Sequence, residues 1–247
     1  MTARYPGLAG RAVIVSGGAS GIGAAMVRAF VGQGAWTGFV DFDRAAGEAL
    51  ASETGAVFEP CDLRDIEALR AAFARLAERN GAATVLVNNA ARDDRHDWAE
   101  VTPDFWDERV ATNLRHQFFA IQAVAPGMIA AGGGAIVNMG SASWMQGTPR
   151  LPVYATSKAA VHGLTRSMAR ELGPHRIRVN CVIPGWVMTE RQKDLWVTSE
   201  GLARLRQKQC LPDLLEPQAL ADAVLFLASD AARMITGADL MVDAGAL

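Results

Sequence analysis

A chain of 247 residues, half of them apolar and a fifth charged, is long enough to bury one sizeable core, and its 24 glycines fit many tight turns better than disorder. Its 24 Lys and Arg nearly balance 26 Asp and Glu, so no broad field of one sign exists to attract nucleic acid or an anionic membrane. Three cysteines, Cys61, Cys181 and Cys210, without a CxxC pair, exclude a disulfide framework or zinc site; with no apolar leader and no membrane-length apolar run, they predict a soluble protein of the reducing cytoplasm.

In chain order, short apolar runs at 12–16, 36–41, 56–60, 84–88, 135–139, 177–182 and 240–242 read as strands. Between them, helical spacing covers 21–33, 44–54, 63–80, 103–131, 153–172 and 217–228, many with Gly or Pro near an end. Strict alternation of this kind predicts right-handed crossovers and a seven-stranded parallel sheet with helices on both faces, in a single domain over 1–247. Ligands of such sheets bind beyond the carboxyl ends of the strands. The irregular stretch 184–217, rich in Trp, Gln and charge, reads as a mobile segment over a site.

The first strand runs into Ser16-Gly17-Gly18-Ala19-Ser20-Gly21-Ile22-Gly23 and then directly into a helix. Glycines at 17, 21 and 23 let the backbone turn sharply and approach a pyrophosphate, while the helix start at Ser20, Gly21 and Ile22 offers free N–H groups. The context is that of a Rossmann-type dinucleotide loop rather than an ordinary strand-to-helix turn. Asp41 closes the second strand about 20 residues on, where a carboxylate can hold both ribose hydroxyls of NAD and repel the extra phosphate of NADP. Neither Ser20 nor Phe42 is basic, which favours NAD; Arg44, a few residues on, is the one nearby cation.

Tyr154 and Lys158 stand four apart in a helical stretch and project from one face. A free phenol titrates at about 10, so making it a base near neutrality takes roughly 4 kcal/mol, of which a cation at 4–6 Å supplies up to about 3–4 kcal/mol. The same spacing also occurs on solvent-facing helices, so it gains meaning from its company. Ser141 follows the fifth strand and can return to the same crevice as a hydroxyl donor. Asn113 sits inside a long helical region, where a polar side chain needs partners or marks a kink.

Ser16–Gly23, Asn88-Asn89-Ala90-Ala91, Asn113, Ser141, Tyr154-x-x-x-Lys158 and Pro184-Gly185 together resemble the short-chain dehydrogenase/reductase family over essentially the whole chain. The resemblance implies that Tyr154 is the acid/base, that Lys158 lowers its pKa and holds the nicotinamide ribose, that Ser141 orients the substrate oxygen and that Asn113 anchors a relay water. It further implies that Asp62 and Leu63 line the adenine, that Asn89 and Ala90 pass the adenosine ribose, and that Ile183, Pro184, Gly185, Val187 and Thr189 flank the nicotinamide. It implies a homotetramer, with 103–131 and the terminus 239–247 burying surface between subunits or packing within one core. Two positions depart from the family pattern: Ser16 replaces the usual Thr, and Ala91 the usual Gly.

Segments 88–96, 125–128, 181–186, 190–192 and 209–211 look like those of bacterial pentose 1-dehydrogenases, D-xylose dehydrogenases among them. That narrower resemblance implies oxidation of a cyclic aldose at C1 to the aldonolactone, with NADH formed. Asp93, Asp94, Arg95, His96, Ser143, Trp144, Gln146, Trp186 and Gln192, together with Ser141 and Tyr154, are loop or strand-end residues able to hold a sugar, or else a polar surface. His116, His162 and His175 show no metal spacing. The alternatives are a dehydrogenase acting on another secondary alcohol, a ketone or a deoxy-sugar acid, and a cofactor-binding scaffold without turnover.

Overall fold

The computed structural model describes residues 3–247; the start of the chain, on which the reading of no leader partly rests, lies outside the described residues. Seven strands form one parallel sheet: β1 (Ala12–Ser16), β2 (Trp36–Asp41), β3 (Val57–Pro60), β4 (Val85–Asn88), β5 (Gly134–Met139), β6 (Ile177–Pro184) and β7 (Asp239–Val242). Their order is β3-β2-β1-β4-β5-β6-β7. The chain walks outward from β1 to β3 and then returns to β4 on the other side of β1, where Ser16 registers with Asn88. That reversal opens a crevice at the carboxyl ends of β1 and β4.

Alternation along the central strands builds both faces. Val13, Val15, Val85, Val87 and Val137 face one way, onto α1 (Gly21–Gly32) and α9 (Pro217–Ala228) through Met26, Phe30, Leu220 and Val224. Ile14, Leu86 and Ile136 face the other way, onto α3 (Ile66–Asn80) and α5 (His116–Ala130) through Leu69, Phe73, Leu76, Ile121 and Met128. Helix α2 (Arg44–Thr54) is started by Asp43, which accepts from the Ala46 N–H, and ended by Gly55 at φ +76°.

The helix expected from 63 begins instead at Ile66, because Asp65 caps it by accepting from the N–H groups of Glu67 and Ala68. The stretch 103–131 is not one uniform helix. It comprises α4 (Pro103–Val110), a π-helical turn (Ala111–Arg115) and α5, with Asn113 inside the turn; such wide turns recur at functional sites. Helix α6 (Pro152–Leu172) carries Tyr154 and Lys158. The stretch 184–217 holds two helices, α7 (Glu190–Leu195) and α8 (Ser199–Lys208), capped by Thr189 and Thr198. No described helix is long and apolar enough to cross a membrane.

Candidate active site

A cavity of about 1190 Å³ opens along the carboxyl ends of the strands, lined from Gly17, Asp41 and Asp62 at one end to Ser141, Tyr154 and Trp186 at the other. The glycine loop shapes the first end. Gly17 and Gly21 take φ of +65° and +53°, and a Cβ on Gly23 would collide with the Gly17 carbonyl oxygen. The Ser16 hydroxyl accepts from the N–H groups of Asn89 (3.1 Å) and Ala90 (3.2 Å), and Asn89 Nδ2 donates to the Ser16 (3.2 Å) and Gly17 (2.8 Å) carbonyls. The β1 loop is thereby fastened to the β4 loop. No side chain of Ser20 caps α1, so the first-turn N–H groups face the cavity.

Asp41 is only 8% exposed and is locked by two backbone donors: Ala19 N–H to Oδ2 (3.0 Å) and Asp43 N–H to Oδ1 (3.1 Å). Arg44 pairs with Glu48 at 3.4 Å and is not in the lining. At the far end Asp62 and Leu63 stand beside Arg64, whose guanidinium bridges Asp62 (2.7 Å) and Glu108 (3.0 Å). The Arg64 fork holds the Asp62 carboxyl below the usual carboxylate range. An open helix N-terminus, a glycine cradle and a carboxylate fixed opposite them fit a dinucleotide.

At the other end, Lys158 is 1% exposed and donates to the Met139 carbonyl at 2.8 Å, with Nζ 5.8 Å from the centroid of the Tyr154 ring. Burial pulls the Lys158 ammonium down to about 8. Burial also pushes the Tyr154 phenol up; Asp93 adds to this, while the Ser141 hydroxyl and Arg191 oppose it. Burial is the largest of these influences and Lys158 is not among them, so the spacing of the pair does not by itself lower the phenol. Ser141 Oγ lies 2.8 Å from Ser143 Oγ and accepts from the Ser143 N–H.

Asn113 is fully buried and outside the lining. Its Oδ1 accepts from the Arg92 N–H (2.8 Å) and its Nδ2 donates to the Arg109 carbonyl (2.9 Å), so the side chain ties the loop after β4 to α4. His116, buried and pulled down to about 3 by burial and by Lys158, donates to the Ala90 carbonyl at 3.1 Å.

Of the residues proposed to hold a sugar, Asp93, Arg95, Ser143, Gln146, Trp186 and Gln192 line the cavity beside Ser141 and Tyr154. Asp94, His96 and Trp144 do not. Asp94 is taken up by Arg92 (2.7 Å), Arg109 (2.6 Å) and Arg191 (2.6 Å), and His96 receives the Val153 N–H at 3.4 Å and packs on Phe105. Trp144 donates its indole N–H to His162 Nε2 at 3.0 Å. His162, Cys181 and Asp239 bring ligand-type atoms within 4.8 Å of one another, but that indole occupies the lone pair a metal would need. Cofactor-side residues Ala90, Pro184, Gly185, Val187 and Thr189 are in the lining; Ile183 is not.

A family model described as enoyl-(acyl carrier protein) reductase matches residues 17–246. The chain is 48% identical over 249 residues to the D-xylose 1-dehydrogenase of Caulobacter vibrioides, spanning 99% of this chain and 98% of that relative. It is 46% identical over 250 residues to the "Probable galactose dehydrogenase GalD" of Rhizobium meliloti, with the same coverage. Among solved structures, the 3-oxoacyl-[acyl-carrier protein] reductase from Brucella melitensis superposes with a TM-score of 0.89 at 32% identity, covering 98% of this chain and 92% of that one.

The chain belongs to the short-chain dehydrogenase/reductase family.

As a member of that family it is an oxidoreductase acting on CH–OH groups with a nicotinamide cofactor. The two family departures have local explanations. Ser16 supplies the one hydroxyl the β4 loop requires, and Ala91 sits at an ordinary negative φ, so a glycine's freedom is not needed there. Two functional-looking residues escaped the sequence reading: Arg64, which lines the cavity beside Asp62 and Leu63, and Arg191, which reaches the loop after β4 from α7. Arg191 finds its partners 97 and 98 residues away, and Arg64 adds to its neighbour Asp62 the distant Glu108, so no spacing announces either bridge.

Proposed function

We propose that the protein oxidises an aldose, a pentose such as D-xylose or L-arabinose first among candidates, at C1 to its aldonolactone with NAD. One observation carries this reading: a single cavity joins the glycine loop and Asp41 to Ser141, Tyr154 and Lys158, and ends in a polar compartment of Asp93, Ser143, Gln146, Trp186 and Gln192. Such a compartment suits a polyhydroxylated ring better than an apolar ketone. The names of the two relatives, a D-xylose and a galactose dehydrogenase, support the same substrate class.

In this reading Gly17, Ser20, Gly21, Ile22 and Gly23 hold the pyrophosphate, Asp41 the adenosine ribose, Asp62 and Leu63 the adenine, and Asn89 and Ala90 the wall between them. Pro184, Gly185, Val187 and Thr189 hold the nicotinamide, and Lys158 with Tyr154 its ribose. When bound, the cofactor accepts a hydride from the substrate carbon and brings the positive charge that the phenol lacks. Ser141 donates to the anomeric oxygen. Tyr154 takes the proton of the anomeric hydroxyl as C1 loses its hydrogen, leaving a C=O bond. Lys158, fixed on Met139, keeps a cation beside the phenolate. Asn113 acts by holding Arg92 and the loop that presents Asp93.

The reading takes the chain as one catalytic domain at work in the cytoplasm, which the unpaired Cys61, Cys181 and Cys210 support. Leu114 of the π-helical turn, Phe118 and Phe119 of α5 and Leu164 of α6 form an apolar depression on the surface, with Phe118 43% exposed. We assign it to the subunit interface of a homotetramer, which sedimentation would show as a fourfold mass. The substrate reading is tested on a panel of free aldoses with NAD and NADP, followed by absorbance of the reduced cofactor. Turnover of pentoses with NAD is expected; activity confined to acyclic alcohols or ketones would remove the sugar.

A further inference from the structure

Helix α7 carries a fastening that no motif in the chain announces. Arg191 reaches from it to the loop after β4, 98 residues away in the chain, and its guanidinium bonds Asp93 and, at 2.6 Å, Asp94. Its neighbour Gln192 donates to the second Asp93 oxygen at 2.7 Å while accepting from the Trp186 indole at 3.0 Å. Just beyond the helix, the Arg95 guanidinium lies 4.5 Å over the Trp196 ring. Asp94 is anchored on the other side by the buried Arg109, so Arg191 docks on a fixed point rather than on a free loop.

We propose that Arg191 is a positioning residue that clasps α7 to Asp93 and Asp94, closes the substrate compartment over Tyr154 and balances the Asp93 charge beside the phenol. The inference rests on Tyr154 as the base but not on the identity of the sugar. Asp93, Arg191 and Tyr154 line the same cavity, and the charges of the first two act on the phenol in opposite directions. The groups facing the phenol are Lys158 from its own helix, Asp93 with Asp94 behind it from the loop after β4, Arg191 from α7, and the uncharged Ser141 from the loop after β5. Removing the cation therefore leaves a lone carboxylate that favours the protonated phenol, whereas removing the carboxylate does the reverse.

The test uses Arg191→Gln, Arg191→Lys and Asp93→Asn in the full chain. Amide hydrogen exchange over 190–195, which needs no substrate, should quicken in Arg191→Gln and lie between in Arg191→Lys. With whichever CH–OH substrate is turned over, Arg191→Gln should raise KM on the order of tenfold with NADH affinity held within about twofold. The acid limb of kcat/KM should move to higher pH in Arg191→Gln and to lower pH in Asp93→Asn. Unchanged exchange in Arg191→Gln overturns the clasp, and limbs that move the same way in both variants overturn the charge balance. Failure of every aldose in the panel, with these shifts seen on another alcohol, removes the sugar and leaves the clasp standing.

Discussion

Replacing Asp41 by Asn probes the cofactor end without emptying it. The carboxylate accepts from the N–H groups of Ala19 and Asp43 and still faces the cavity, so both oxygens are already oriented when a ribose arrives. A hydrogen bond to a charged group contributes about 1.5–3 kcal/mol, against about 0.5–1.5 kcal/mol for a neutral one, so two ribose hydroxyls lose roughly 2–3 kcal/mol when the charge goes. At about 1.4 kcal/mol per tenfold, NADH should bind roughly 30- to 140-fold more weakly. A 2′-phosphate near Asp41 instead escapes a repulsion of about 4 kcal/mol for each unit of charge at 4 Å near a protein surface. The NADPH-to-NADH affinity ratio should therefore rise by two orders of magnitude or more. Fluorescence titration of both reduced cofactors, with melting temperature as the control for the two backbone donors, measures it. A ratio unchanged within about twofold would refute the ribose role of Asp41.

Lys158→Met should stabilise the cofactor-free protein while removing activity. The folded ammonium titrates at about 8 against 10.5 for the ordinary group, so the folded state holds fewer protons between those values and stability rises with pH across that window. At pH 7 the buried cation costs up to about 3 kcal/mol, which Lys158→Met should recover along with loss of the pH-dependent rise in denaturant unfolding; an identical rise in the variant would place the titration elsewhere. Gly23→Ala should fold yet lose nucleotide affinity by about a hundredfold or more, because the new Cβ meets the Gly17 carbonyl oxygen. Wild-type affinity by calorimetry in that variant would show the loop to be looser than its geometry indicates.

The seven strands were legible because β-branched runs punctuated by glycine have few other uses, and α2 and α9 because their first and last residues carry caps or proline. Leu63 misled the start of α3: its apolar side chain fits the helical period, yet Asp65 is the better cap and leaves 62–64 as a turn. Asn113 signals a position that needs partners or marks a kink, but not that the kink is a π-turn over Ala111–Arg115. Helices α7 and α8 are too short and polar to show periodicity, although Thr189 three residues before Gln192 carries a readable start signal. Within the site, the glycine loop, Asp41, Ser141, Tyr154 and Lys158 could be read because short motifs fix them. The burial of Tyr154 could not, since it depends on tertiary packing and spacing reports only neighbours. Asp94, His96 and Trp144 look like their neighbours in sequence, and only the partners they find in the fold turn them away from the cavity.

The account stands most directly on the phenol. Turnover of Tyr154→Phe, measured beside its affinity for NADH, isolates that group, because the ring and the packing around Lys158 remain. Loss of kcat by about 10²–10⁴ with NADH affinity nearly intact is the expected result. Retention of most of the wild-type rate would contradict the assignment of Tyr154 as the base.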